Sequence, residues 1–239
     1  MDEKELYERQ YGEKLLSAGP PSFPALRRWL HRFDLSRHEL ALSLLRPGEA
    51  LLDVGCGDGK FIAKAAPHFF ELHGIDISQY RISEAEKKLK GLCDSGKKIT
   101  LRQGNISSAL PFADNTFDTV TCLAVIALVY DPYFLVKELR RVLKKDGVLI
   151  AEVPNVAYIK QRFRLLFGEL PIVSTPHDWE RVGWDCGHLH YFTKKTFCGL
   201  LRDCGFDVLT VTGSGFCAKL RNFYPALLTG DICVVAEKR

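Results

Sequence analysis

Residues 51–60 read Leu-Leu-Asp-Val-Gly-Cys-Gly-Asp-Gly-Lys. An apolar run stops at three glycines set two apart, Gly55, Gly57 and Gly59, with an acid, Asp53, just ahead of them. Without a Cβ the backbone can lie directly against a ligand, and a helix starting at Asp58 turns its first unpaired N–H groups toward it. The ligand should carry a negative group there. Nucleotide and dinucleotide sites of several chemistries use such a strand-to-helix turn, so the elements around it must narrow the choice.

Downstream, strand and helix alternate. Strands are predicted at Ala50 to Val54, Leu72 to Ile75 (closed by Asp76), Ile99 to Gln103, Phe117 to Ala124 and Val148 to Val153. Helices are predicted from Lys60 to Ala66 and, capped by Ser78, as far as Leu92, with Ile82, Ala85 and Leu89 on one face. Asp131-Pro132 opens a third, whose buried stripe is Phe134, Leu135, Leu139, Val142 and Leu143. Lys145-Asp146-Gly147 reads as the turn into the fifth strand. Thr193 to Cys204 is helical, Gly205 its C-cap, and Phe206 to Thr212 and Ile232 to Glu237 are closing strands joined by an irregular link from Gly213 to Gly230. Alternation of this kind implies an α/β fold with a mainly parallel sheet covered by helices on both faces, while two strands without a full helix between them can pair antiparallel.

Two segments stand outside this rhythm. Residues 1–47 carry two helical stripes, Tyr7, Tyr11, Leu15, Leu16 and then Leu26, Trp29, Leu30, Phe33, and read as an N-terminal helical cap on a domain spanning 48–239. Residues 155–192 are rich in aromatics, histidines, Pro and Gly, with one helical stretch from Val156 to Phe167. An insertion so poor in regular structure suits a lid.

The composition excludes several classes. Of 239 residues, 46% are hydrophobic and 26% charged, which is ordinary for a globular protein. The net charge of +4 is mild, and Lys and Arg share helices with Glu and Asp, so nucleic acid is not an expected partner. The longest apolar run, Val120 to Tyr130, is short of the ~20 residues a spanning helix needs. Met-Asp-Glu-Lys-Glu-Leu at the start is no secretory signal, and the eight cysteines show no CxxC, so reduced thiols in the cytoplasm are expected.

In an open α/β sheet the ligand lies beyond the C-terminal strand ends. The candidates are then Gly55, Gly57 and Gly59, Asp76, Gly104-Asn105-Ile106, and Ala124 to Val129. Asp76 lies at the distance past the first glycine where a carboxylate meets ribose hydroxyls, a spacing that also fits NAD. The pattern G-x-G-x-G, however, lacks the later glycine of a dinucleotide site. Four ordered segments, Leu51-Leu-Asp-Val-Gly-Cys-Gly-Asp-Gly, Gly74-Ile-Asp-Ile-Ser, Leu110-Pro-Phe-Ala-Asp-Asn-Thr-Phe-Asp and Leu139-Arg-Arg-Val-Leu-Lys-Lys-Asp-Gly-Val-Leu, make the chain resemble the class I S-adenosylmethionine-dependent methyltransferases. The resemblance implies a Rossmann-like seven-stranded sheet with an antiparallel last strand, S-adenosyl-L-methionine as cofactor, and a small-molecule methyl acceptor. By position it implies that Gly55, Cys56, Gly57 and Gly59 lie against the methionine part, with Asp53 holding its amino group. Asp76 would take the ribose, and Ile77, Asn105, Ile106 and Leu123 would complete the cofactor site.

The second half is similar to a narrower group, that of the MetW and ubiquinone-biosynthesis methyltransferases, through Val153-Pro-Asn-Val, Arg162, Leu166-Phe-Gly and Gly187-His-Leu-His-Tyr-Phe-Thr193. Relatives commonly read Glu-His after the fourth strand, whereas this chain has Ala127-Leu128. A general base is missing there, so the catalytic candidates move to the lid: His188 first, then His190 and Tyr191, with His177 and Asp178 also able to move protons. Cys186-x-His188-x-His190 would need a fourth ligand from elsewhere to hold zinc, and no metal is expected. Lys160, Arg162 and Arg164 are candidates for an anionic group on the acceptor, and Phe163, Leu165, Leu166, Phe167, Trp179 and Trp184 for an apolar wall. The residues leave open an NAD-dependent oxidoreductase, and a binding protein without catalysis.

Overall fold

The computed structural model describes residues 34–173 and 188–239. After a two-residue strand β1 (Asp34–Leu35) come β2 (Gly48–Val54), β3 (Phe69–Asp76), β4 (Lys98–Gln103), β5 (Phe117–Leu123), β6 (Leu143–Pro154), β7 (Phe206–Thr212), β8 (Gly215–Phe216) and β9 (Asp231–Lys238). Seven of them form one sheet in the order β4-β3-β2-β5-β6-β9-β7, parallel except for β9, which is antiparallel to both its neighbours. The last strand is thus inserted between β6 and β7. The Rossmann-like sheet expected from the ordered motifs is present.

Helices α1 (Arg37–Ser43), α2 (Lys60–Ala65) and α3 (Gln79–Asp94) cover one face, burying Leu40, Phe61 and Ile82. On the other face α4 (Pro132–Val142) and, after the short α5 (Ile159–Leu166), helix α6 (Lys194–Asp203) bury Leu139, Phe197 and Leu201. Helices α7 (Ala218–Arg221) and α8 (Pro225–Leu228) fill the link between β7 and β9. With both faces covered, Leu51, Leu52 and Val54 of β2 are all fully buried, as a continuous apolar run in a parallel strand requires. The caps sit where side-chain chemistry puts them: Ser78 accepts from Arg81 N, Asp131 from Phe134 N ahead of Pro132, and Thr193 forms a capping box with Thr196.

Three details depart from the sequence expectation. Strand β6 begins at Leu143, so Lys145-Asp146-Gly147 is not a free turn but an irregularity inside a longer strand, with Asp146 at φ 60° and the register against β5 shifting between Phe117 and Thr119. Asp34-Leu35 pairs antiparallel with Gly215-Phe216, tying the region ahead of β2 to the late link. Helix α1 lies just beyond the stripes read upstream; its signal is the capping box Ser36-x-x-Glu39, with Ser36 Oγ and the Glu39 carboxylate each bonding the other's backbone N–H. Of the proposed cap over 1–47, residues 34–47 are described, and Tyr7, Tyr11 and the stripe up to Phe33 lie outside the described residues.

The chain builds outward from β2 to β3 and β4, then crosses back to β5 and β6 on the other side. Connections therefore leave β2 and β5 in opposite directions. Their C-terminal ends open the crevice in which this architecture takes its ligands.

Candidate functional site

The glycine turn is anchored to the end of β3. Gly55 N and Cys56 N both donate to Ile75 O (2.8 and 3.1 Å), and Gly57 N donates to Asp76 Oδ2 at 2.8 Å. Gly55 sits at φ +78°, and a Cβ there would lie 2.3 Å from Val125 Cγ2, so only glycine lets the turn pass under the loop after β5. Gly59, at φ +73°, caps α2 and faces α3, where a Cβ would meet Leu89 at 3.0 Å and Ala85 at 3.1 Å. Its missing Cβ lets the start of α2 pack closely on α3.

A cavity of ≈ 290 Å³ opens at this point. Eight residues expected from the sequence line it: Gly55, Cys56, Gly57, Asp76, Ile77, Asn105, Ile106 and Leu123. The other two, Asp53 and Gly59, lie outside its wall. Asp76 is buried and held from two sides, by Gly57 N and by Ser78 N at 2.9 Å. An ionised carboxylate only accepts, so Asp76 turns a hydrogen-bond acceptor toward the cavity it lines. Asn105 Oδ1 accepts from Ser107 N at 2.8 Å, closing a local turn.

Asp53 is buried behind the turn and accepts from Thr121 Oγ1 at 2.7 Å. Burial pushes its carboxyl up to about 7, opposed by the Thr121 hydrogen bond and reinforced by the Asp76 charge. A second buried acid, Glu152, stands beside Leu123 across β5 and β6. Burial pushes it too up to about 7; among the described residues Oε2 has no hydrogen-bond donor, and Arg37 Nη1 faces it at 3.6 Å as an ion pair. Burial likewise drives the Cys56 thiol far up, leaving it an inert apolar lining group. Where β5 ends, Ala124 takes φ 59°, a left-handed conformation unusual for alanine, and its N–H bonds Glu152 O.

Three lining residues were not foreseen, Arg37, His38 and Arg81, whereas Ala124, Val125, Leu128 and Val129 fall in the stretch expected after the fourth strand. Arg37 and His38 follow the Ser36 capping box, which was the available signal. For Glu152 the signal was a charge inside the apolar run Val148-Leu-Ile-Ala-Glu-Val-Pro, since charged groups are rarely fully buried without a purpose. Leu128 shows what the missing Glu-His means spatially, for an apolar side chain now forms that part of the wall.

The lid candidates lie beyond the lining. Ala127 O accepts from both Leu189 N and His190 N (2.9 and 3.1 Å), and His190 Nε2 bonds Tyr130 O at 3.1 Å. The return of the lid is thereby fastened to the loop that lacks the base. A carbonyl only accepts, so Nε2 carries the proton and Nδ1 of His190 is left as an acceptor. His188 is half-buried and Tyr191 exposed, and neither lines the cavity. His177, Asp178, Trp179, Trp184 and Cys186 lie outside the described residues, and among the described residues no group of three His, Cys, Asp or Glu is placed to hold a metal. No described helix is long and apolar enough to cross a membrane.

The Glu152 environment fixes a pH dependence. Its folded value is raised, so its favourable share of stability is complete below the unfolded value near 4.5 and is lost as pH rises through about 7. Glu152→Gln should therefore gain stability relative to the unaltered protein between pH 4.5 and 7 and hold a level difference above that. Denaturant titrations at stepwise pH read this directly, and parallel curves across the range would remove the assignment.

The geometry agrees with three comparisons. Residues 52–151 match the family model described as "Methyltransferase domain". The chain is 27% identical over 189 residues to a demethylmenaquinone methyltransferase of Alkalihalophilus pseudofirmus, covering 74% of this chain and 79% of that one. Against the Bacillus subtilis protein of the same name it is 38% identical over 130 residues, covering 52% of this chain and 54% of that one, so it spans about half the length of that relative. The fold is also similar to a Thermotoga maritima SAM-dependent methyltransferase described as a possible histamine N-methyltransferase, with a TM-score of 0.63, 20% identity, and coverage of 98% and 99%. With the glycine turn, the acid at the end of β3 and the inserted antiparallel strand all in place, the chain is similar to the class I S-adenosylmethionine-dependent methyltransferases, in sequence over residues 52–151 and in the fold of its sheet.

Proposed function

We propose that this protein binds S-adenosylmethionine in the cleft between β2 and β5 and transfers its methyl group to a small-molecule acceptor. The observation that carries this is the cavity whose floor is the Cβ-free Gly55–Gly57 turn and whose side is the doubly anchored Asp76. The residues present suit such a cofactor. Asp76 lines the cavity with a carboxylate suited to the ribose hydroxyls, and Ile77 and Ile106 offer apolar flanks for adenine beside Asn105. Arg37 suits the carboxylate of the amino-acid end. Asp53, buried behind the turn, suits its ammonium as a hydrogen-bond acceptor. Once bound, the sulfonium supplies an electrophilic methyl that leaves by in-line displacement.

The chain's part is then mostly positioning. Holding donor and acceptor in near-attack geometry is worth about 7–11 kcal/mol where the reaction needs no proton removed. Leu128, Val129 and Ile106 exclude water and favour an apolar ring as acceptor; the quinone in the relatives' names is the class to try first. If the acceptor must lose a proton, the lid supplies the base, with His188, His190 through Nδ1, and Tyr191 as the groups to alter.

Two measurements test the reading. S-adenosylhomocysteine at a hundred times its Kd should add about 2.7 kcal/mol and raise the Tm by several degrees, with NADH inert. The reverse result overturns it in favour of an oxidoreductase. Tight binding with no labelled methyl transferred to quinol, phenol or amine acceptors would instead indicate a non-catalytic binder. Arg37→Met should weaken S-adenosylhomocysteine by roughly 10- to 100-fold, the scale of one charged hydrogen bond. Adenosine, which lacks the amino-acid end, should bind the variant as before; equal losses for both ligands would sink the carboxylate assignment.

A further inference from the structure

Helix α5 faces the wrong way for a core helix. Its single buried side chain is Gln161, whose Nε2 donates to Ile172 O at 2.7 Å. Phe163, Leu166, Phe167 and Leu170 instead point to solvent, at exposures of 55%, 74%, 77% and 65%. Phe163, Leu166 and the C-cap Phe167 stand at i, i+3 and i+4, on one side of the last turn, and Leu170 follows just beyond the helix end. A second apolar group, Leu220 (72% exposed) and Phe223 (77%), lies in the link after β7. Arg221 of that link stacks over the ring of Tyr158, the N-cap of α5, at 5.2 Å, so the link packs against the start of the helix. Since α5 follows β6 and the link follows the parallel β7, this face lies at the same end of the sheet as the cofactor cleft.

An exposed apolar patch of this kind marks an interaction surface. Its chemistry selects the partner. Lys160 and Arg162 are exposed beside the stripe, and the nearest acid in sequence, Glu169, already faces Arg164 at 3.9 Å. An apolar stripe with a basic margin is the composition of a helix lying in a bilayer interface, where the cations meet anionic headgroups and their stems extend along the apolar boundary. A second copy fits less well, for a twofold contact through α5 would bring the same cations together. We propose that the face formed by α5 and the 220–224 segment docks on the surface of an anionic lipid bilayer. This docking stands on exposure and charge and does not depend on the methyl-transfer reading.

The test is co-sedimentation of the full chain with vesicles of phosphatidylcholine alone and of phosphatidylcholine and phosphatidylglycerol in equal parts. The protein should pellet with the anionic vesicles, far less with the zwitterionic ones, and lose the binding as salt rises. Leu166→Glu with Phe167→Glu, and separately Phe223→Glu, should each weaken vesicle binding by about tenfold or more, since each moves a charge into the interface. Their S-adenosylhomocysteine affinity should be unchanged, which shows that the fold is kept. Absence of binding to anionic vesicles, or undiminished binding by both variants, overturns the proposal. So does a lipid-free dimer that Leu166→Glu dissociates in sedimentation velocity, which would make a second copy the occupant.

Discussion

Asp76→Ala should weaken S-adenosylhomocysteine binding about 100-fold and lower the Tm in the same protein. Two effects combine. The carboxylate that would take the ribose hydroxyls is gone, and a charged hydrogen bond of that kind contributes about 1.5–3 kcal/mol. At the same time Gly57 N and Ser78 N lose their acceptors in a buried place, each costing about 1–3 kcal/mol and loosening the turn that forms the cofactor floor. Asp76→Asn separates the two, because its single carbonyl oxygen can still accept from one anchor while its amide offers no acceptor to the ribose. The amide variant should keep most of the Tm and still bind at least about tenfold more weakly, on the scale of one such bond. Calorimetric titration decides the matter, and an affinity unchanged in both variants would remove Asp76 from the cofactor site.

A stability effect of similar size, with no change to a polar group, should come from Gly55→Ala. Placing a Cβ-bearing residue at φ +78° costs roughly 1–2 kcal/mol, and the new atom would overlap Val125 Cγ2 at 2.3 Å, for which overpacking costs of about 1–3 kcal/mol are usual. The sum, roughly 2–5 kcal/mol, corresponds to a Tm lowered by about 5–15 °C in a chain of this size. Val125→Ala in the same chain removes the overlap but not the backbone strain, so the pair should recover part of the loss and no more. Full recovery would mean that the left-handed conformation is not strained. No loss in the single variant would mean that the turn and the loop after β5 do not meet as described.

How much of this was legible in advance depends on the reach of each signal. The glycines, Asp76 and the Asn105-Ile106 pair follow strand ends, and a strand end is a local event: an apolar run meets residues that cannot continue it. Eight of the expected cofactor residues therefore fall on one cavity wall. Asp53 and Gly59 belong to the same motif but face the Thr121 hydroxyl and helix α3, because the side chains of a strand alternate between faces and the third glycine is already the helix cap. The β1–β8 pairing joins residues far apart in the chain, and no periodicity within either segment announces it. Helix α1 was legible in principle through Ser36-x-x-Glu39, yet the stronger apolar stripes ahead of it drew attention upstream.

By itself the sequence determined the class of fold, the order of its elements and the glycine turn that lines the cavity, since period, caps and glycine positions are written within a few residues of where they act. Only the tertiary structure decided what the wall contains besides that motif. Arg37 reaches it from a helix ahead of the main sheet and Leu128 takes the place of a base, while Glu152 lies buried beside Leu123 with Arg37 as its counter-ion at 3.6 Å. It also decided that α5 turns its phenylalanine and leucines outward. Such facts depend on which elements pack together, and burial is a property of the whole assembly that no local pattern carries.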